Sequence, residues 1–101
     1  MSNIQIINIK TSSIKDYVFC GRGSFLGNPF HIDSSNNRKK VINMYKLWFY
    51  DQLKDKNVLN ALKSIVEKHN KDGIVYLGCY CYPLDCHCEV IKKYLIDAYF
   101  S

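Results

Sequence analysis

Isoleucines at positions 4, 6, 7 and 9 form a short β-branched run, which predicts a strand over residues 3–9 with alternate positions turned to a core. A second short strand is predicted at Tyr17-Val18-Phe19-Cys20, cut off by Gly21-Arg22-Gly23-Ser24. Pro29 stiffens the exit and pushes Asn28 towards an extended backbone. Residues 31–37 read as a loop in which Asn36 or Asn37 caps a helix. From Arg38 to Lys54 the apolar positions Val41, Tyr45, Trp48 and Ile42, Phe49, Leu53 repeat with helical spacing over a wide stripe. A second helix, capped by Asn57, carries Val58, Leu59, Leu62, Ile65 and Val66 and stops at Lys71-Asp72-Gly73.

The unbroken apolar run Ile74-Val75-Tyr76-Leu77-Gly78 reads as a strand buried on both faces, as in parallel sheets. Glu89 opens a last helix with Val90, Ile91, Tyr94, Leu95 and Ala98 facing inward. The order is strand, strand, loop, helix, helix, strand, loop, helix. It predicts one α/β domain over residues 1–101, a small three- to four-stranded, mainly parallel sheet packed by about three helices.

Composition fits this reading. With 101 residues, 48% hydrophobic and 23% charged, the chain suits one globular core. The net charge of +5 lies largely on the helices, as Arg38-Lys39-Lys40, Lys54, Lys56, Lys63, Lys68, Lys71 and Lys92-Lys93. Such lysines form a solvated face, and the field they create favours an anionic partner such as a nucleotide or nucleic acid. No long block of like charge marks a nucleic-acid-binding arm. Residues 1–10 lack the pattern of a signal peptide, and no apolar run approaches the ~20 residues of a membrane span. A cytoplasmic location is expected, in the host cytoplasm if the chain is viral. There, five cysteines read as thiols or metal ligands rather than disulfides.

Two loops carry the distinctive chemistry. In Gly21-Arg22-Gly23-Ser24-Phe25-Leu26-Gly27-Asn28-Pro29-Phe30, three glycines let backbone N–H groups point into one space. The planar fork of Arg22 suits a phosphate or carboxylate, and Ser24 and Asn28 add neutral hydrogen-bonding groups. A tight structural turn with Phe25, Leu26 and Phe30 plugging the core explains the same residues. This is neither a Walker loop nor a dinucleotide fingerprint.

The second loop is Cys79-Tyr80-Cys81-Tyr82-Pro83-Leu84-Asp85-Cys86-His87-Cys88. Thiolates and imidazole suit zinc, yet Cys-x-Cys on a strand end tends to point its two side chains to opposite faces, unlike the usual Cys-x2-Cys knuckle. No resident cofactor is therefore expected, with zinc as the alternative. Cys86 and His87 stand at a predicted helix N-terminus, where the dipole and a nearby imidazolium stabilise a thiolate; they are the candidate catalytic pair. Packing accounts for buried cysteines too. His31 follows the first loop closely enough to reach a ligand there, whereas His69, near a helix C-terminus, reads as structural or solvent-exposed.

Across these motifs the chain resembles the domain of unknown function 4326 family, small proteins of bacteria and their phages. That family shares a Gly-Arg-x-Ser-x-x-Gly-Asn-Pro-Phe loop, here residues 21–30, and a strand running into Cys-x-Cys-x-Pro-x-x-Cys-His, here residues 79–87. A glycine and an acidic residue usually follow; this chain has Cys88 and Glu89, which keeps the acid and adds a thiol. The resemblance supports the fold and the site and implies no settled reaction.

In open α/β sheets ligands collect at the carboxyl ends of strands, where both loops are placed. The leading expectation is a domain that binds a nucleotide- or nucleoside-like anion. Gly21, Arg22, Gly23, Ser24, Gly27, Asn28, Cys79 and Cys81 are the ligand-binding candidates, with Tyr80 or Tyr82 stacking on a base. A cysteine-dependent enzyme acting on a nucleotide or nucleic-acid-related substrate would use the same pocket, with Cys86 as nucleophile and His87 or His31 moving the proton. A third class is a phage protein that sequesters an immune signal or binds a host protein without catalysis. The wide apolar stripe around Trp48 and Phe49 also suggests a homodimer.

Overall fold

The initial isoleucine run forms β1 (Ile4–Asn8), the brief apolar pair forms β2 (Val18–Phe19) and the continuous apolar run forms β3 (Val75–Cys79). The structure, a computed structural model, describes residues 3–21, 24–29, 38–80 and 86–100. Among them β3 lies in the middle of a three-stranded sheet of order β1-β3-β2, parallel to both neighbours. Its central place explains its apolar run: Val75, Leu77 and Cys79 are each at most 1% exposed.

The register pairs Ile4 with Val75 through Asn8 with Cys79, and Val18 with Leu77 and Phe19 with Gly78. Two further bonds extend the ladders past the strand ends, Ile9 N–H to the Cys79 carbonyl at 2.9 Å and Cys20 N–H to the Gly78 carbonyl at 3.0 Å. Position 78 admits no side chain, because a Cβ there would come within 2.6 Å of the Tyr17 ring and 2.9 Å of Ile9. With all three strands parallel, their carboxyl ends share one edge of the sheet.

Three helices cover the sheet: α1 (Arg38–Gln52), α2 (Lys56–Asp72) and α3 (Cys88–Leu95), the last continued by a π-helical turn over Ile96–Phe100. α1 buries Val41, Tyr45 and Phe49, and α2 buries Val58, Leu62, Ile65 and His69, each set on one face at helical spacing. The cap of α2 is Asp55 rather than Asn57: its carboxylate accepts the Asn57 N–H at 2.8 Å. Gly73 closes the helix in the left-handed region, at φ 79°, and donates its N–H to the His69 carbonyl at 2.8 Å. In α3, Ile91 and Leu95 are buried as expected, but Ala98 is exposed because the π-helical widening takes it off that face.

The apolar stripe of α1 divides differently from its sequence pattern. Phe49 is fully buried and Trp48 is half-buried against the core, while Met44, Leu47 and Tyr50 form the exposed apolar surface of the helix. No helix among the described residues is long and apolar enough to cross a membrane. The caps assigned to Asn36 and Asn37, and His31, lie outside the described residues.

His69 is buried at the amino edge of the sheet. Its Nε2 accepts the Asn3 N–H at 2.9 Å, its ring packs 4.4 Å from that of Phe100, and the Asn3 carbonyl in turn accepts the Val75 N–H at 3.0 Å. That histidine is structural.

Candidate functional site

The site follows from the strand ends. Cys20 comes directly after β2 and Cys79 ends β3, so parallel pairing sets them on neighbouring strands at one edge. Cys86 and Cys88 arrive from the start of α3, which begins one residue before Glu89. All four are free thiols and at most 1% exposed. The sulfurs of Cys79, Cys86 and Cys88 lie within 4.8 Å of one another, and the Cys86 thiol donates to the Cys79 sulfur at 3.3 Å. Cys20, one residue past the Phe19–Gly78 pair, is set beside Cys79 by the strand register, and its thiol donates to the Val18 carbonyl at 3.5 Å.

The tyrosine and histidine around this cluster are committed to structure. The His87 Nε2 hydrogen-bonds the Cys20 carbonyl, and its ring stands edge-on to Tyr45 with centroids 5.1 Å apart. A ring nitrogen facing a carbonyl must donate, which places the proton on Nε2. Burial lowers the His87 pKa, against the pull of the Cys20 carbonyl, so the ring is neutral near pH 7. Tyr45, wholly buried, donates its hydroxyl to the Leu26 carbonyl at 2.7 Å and so ties α1 to the first loop. Burial, with the thiols nearby, drives its pKa up.

The expected thiolate at Cys86 is reversed for the free thiol. The hydrogen bond with Cys79 and desolvation push it up to about 12, although the contacts with Cys88 pull the other way. Bonds to Cys20, Cys79 and Cys86, and burial, raise Cys88 as well. A helix N-terminus lowers a thiol pKa where the sulfur is solvated. Here it is surrounded by other thiols in a dry interior.

The first loop folds largely onto itself. The Ser24 hydroxyl donates to the Gly21 carbonyl at 2.8 Å, the Ser24 N–H points to the same oxygen at 3.2 Å, and the Gly27 N–H donates to the Ser24 carbonyl at 3.1 Å. The tip of the half-exposed Phe19 ring lies over Gly21, in the space a Cβ there would take. Asn28 is buried and Gly27 half-buried. Gly21, Ser24, Gly27, Asn28, Cys79, Cys86 and His87 therefore all belong to segments at or next to the carboxyl edge, while Arg22, Gly23, Cys81 and Tyr82 lie outside the described residues. Tyr80 is exposed just after Cys79, with the Lys10 ammonium 5.5 Å from its ring centre.

Sequence spacing missed the neighbour of this cluster. It weighed metal ligation within residues 79–88, Cys88 included, whereas the buried thiol beside them, Cys20, comes from some sixty residues earlier in the chain. Only strand pairing brings Cys20 to Cys79. Cys88 stood out in the sequence as an added thiol, without a partner to give it meaning.

A cleft of about 380 Å³ opens beside the cluster, lined by Lys39, Ile42 and Asn43 of α1, and by Cys86 and Glu89 at the mouth of α3. It combines a cation, a carboxylate, an amide and an apolar wall, and its size suits a small molecule.

Neither the curated proteins nor the solved structures contain a significant match to this chain. A family model does match: residues 6–97, which include both loops, β1 from Ile6 on, all of β2 and β3, and all three helices, fit the family described as Domain of unknown function (DUF4326). By that match over most of its length, the chain belongs to the DUF4326 family.

Proposed function

We propose that this domain binds an anionic, nucleotide-like small molecule at the carboxyl edge of its sheet, in the cleft between α1 and α3. The observation that carries this reading is the cleft itself. It opens where Cys86 of the second motif, hydrogen-bonded to Cys79 at the end of β3, meets α1, and in open parallel sheets the carboxyl end of the strands is the usual place for a ligand. Lys39 supplies a positive charge for a phosphate, Asn43 an amide for a polar edge, and Ile42 an apolar wall for a base. Glu89 can accept hydroxyl hydrogen bonds of the kind a ribose offers. Arg22, in the glycine-rich loop, adds the planar fork that suits a phosphate.

Binding without turnover is the form of this function that the site favours. Cys86 is 1% exposed, and the Nε2 of His87 is engaged by the Cys20 carbonyl. A nucleophile and its proton carrier need access to a substrate, and neither has it. The test is a thermal-shift screen of the full chain against nucleotides, cyclic dinucleotides and ADP-ribose derivatives, repeated with Lys39→Ala and Arg22→Ala. A melting temperature raised by one class of ligand, with the rise reduced in both variants and the ligand recovered unchanged after heat denaturation, is expected. No shift with any member of the panel overturns the reading, and a chemically altered ligand replaces sequestration with catalysis.

A further inference from the structure

We infer that Cys20, Cys79, Cys86 and Cys88 form a closed tetrathiolate site for a divalent d10 cation of zinc type, which fastens the ends of β2 and β3 to the start of α3. The argument begins with geometry. A tetrahedral ion with metal–sulfur bonds of ~2.3 Å spaces its sulfurs about 3.8 Å apart. Cys79, Cys86 and Cys88 already hold their sulfurs within 4.8 Å of one another, with Cys79 and Cys86 at 3.3 Å, and the register of β2 on β3 sets the buried Cys20 beside Cys79 as the fourth donor.

Chemistry points the same way. Buried cysteine packs as a small hydrophobe against apolar neighbours. Three thiols pack here against one another, with a fourth buried on the neighbouring strand. The Cys88 N–H donates to the Cys86 sulfur at 3.3 Å, an arrangement that stabilises a thiolate ligand, and the first turn of α3 directs its positive dipole end at the same place. Four sulfur donors select zinc over magnesium or calcium, which take oxygen. Binding converts four thiols to thiolates and releases four protons, leaving a site of net charge −2.

His87 is not part of the ligand set. Its Nε2 is held by the Cys20 carbonyl, so it positions the backbone that carries one ligand. With four protein sulfurs and all four cysteines at most 1% exposed, no coordination position is left for water. The ion is structural, in the sense that it joins segments and does not activate a substrate.

The test uses the full chain purified anaerobically with reductant. Elemental analysis is expected to find one zinc ion per chain, and cobalt replacement to give the tetrahedral ligand-field bands and strong sulfur-to-cobalt charge transfer of four thiolates. Cys20→Ser and Cys88→Ser should each remove about a quarter of the charge-transfer intensity, whereas Cys81→Ser should leave it unchanged. If the serine variants fail to fold, the wild-type spectrum and the number of protected thiols decide: four of the five cysteines should resist alkylation with the metal bound and react once it is stripped. Absence of metal uptake, an octahedral cobalt spectrum, loss of intensity in Cys81→Ser, or a disulfide among these cysteines in the anaerobic protein would overturn the inference. The outcome is independent of the nucleotide screen, since metal is measured without ligand.

Discussion

The two edges of the sheet each bury a histidine, and the histidines do different work. At the amino edge, His69 belongs to the last turn of α2 and accepts the N–H of Asn3, one residue before β1. Its neighbours satisfy one another: the Asn3 carbonyl accepts the Val75 N–H, and the Gly73 N–H donates to the His69 carbonyl. A cleft of about 530 Å³ runs beside Asn3 and β1 to Glu89, Lys92 and Ile96, but among the described residues no thiol and no motif loop lines it. At the carboxyl edge, His87 holds a carbonyl of Cys20 beside the clustered thiols of Cys79, Cys86 and Cys88, its neighbour Tyr45 ties in the first loop, and a cleft opens beside Cys86. A buried histidine therefore does not mark a site by itself. The difference lies in what else the edge collects, and in a parallel sheet the loops that follow the strands collect at the carboxyl end.

This contrast can be broken by substitution. The largest effect is expected from His87→Ala, which opens a cavity beside Tyr45 and leaves the Cys20 carbonyl without its donor. A loss of about 3 kcal/mol in urea unfolding is expected, together with loss of the ligand-induced thermal shift. His69→Ala should cost less, about 2 kcal/mol, by orphaning the Asn3 N–H, and should leave the ligand shift of the folded protein intact. If both variants lose the shift equally, the two edges are not distinct. Tyr45→Phe keeps the ring and deletes only the hydroxyl that serves the Leu26 carbonyl. It should cost about 1–2 kcal/mol in the same unfolding assay and loosen the first loop, read as faster amide exchange at Ser24 and Gly27. The smallest effect sharpens the comparison from outside both edges: Asp55→Ala removes the cap of α2 and should lower stability by about 1 kcal/mol with no change in ligand or metal binding.

The sequence made much of this molecule legible. The isoleucine alternation at 4–9, the apolar run at 74–78 and the helical stripes of Val41, Tyr45, Phe49 and of Val58, Leu62, Ile65 are local periodicities, and each became the expected element. Differences at their ends have local causes as well. Asp55 outcompetes Asn57 as a cap because its carboxylate stands two residues before the N–H it accepts, and the π-helical turn moves Ala98 off the inner face. The motifs at residues 21–30 and 79–87 were likewise readable, and they placed the chain in its family.

What the chain by itself determined was the set of elements, their order and the two loops that matter. Strand order and register were decided only in three dimensions, since inserting β3 between β1 and β2 depends on which buried faces fit together rather than on any local pattern. The same packing decided the environment of the thiols. Spacing within residues 79–88 argued against a metal knuckle, but pairing β2 with β3 brings Cys20 to Cys79 and the start of α3 adds Cys86 and Cys88. The hydrogen bond with Cys79, and then burial, rather than the helix dipole read from sequence, set the upward direction of the Cys86 pKa, and only the tertiary contact supplies that bond.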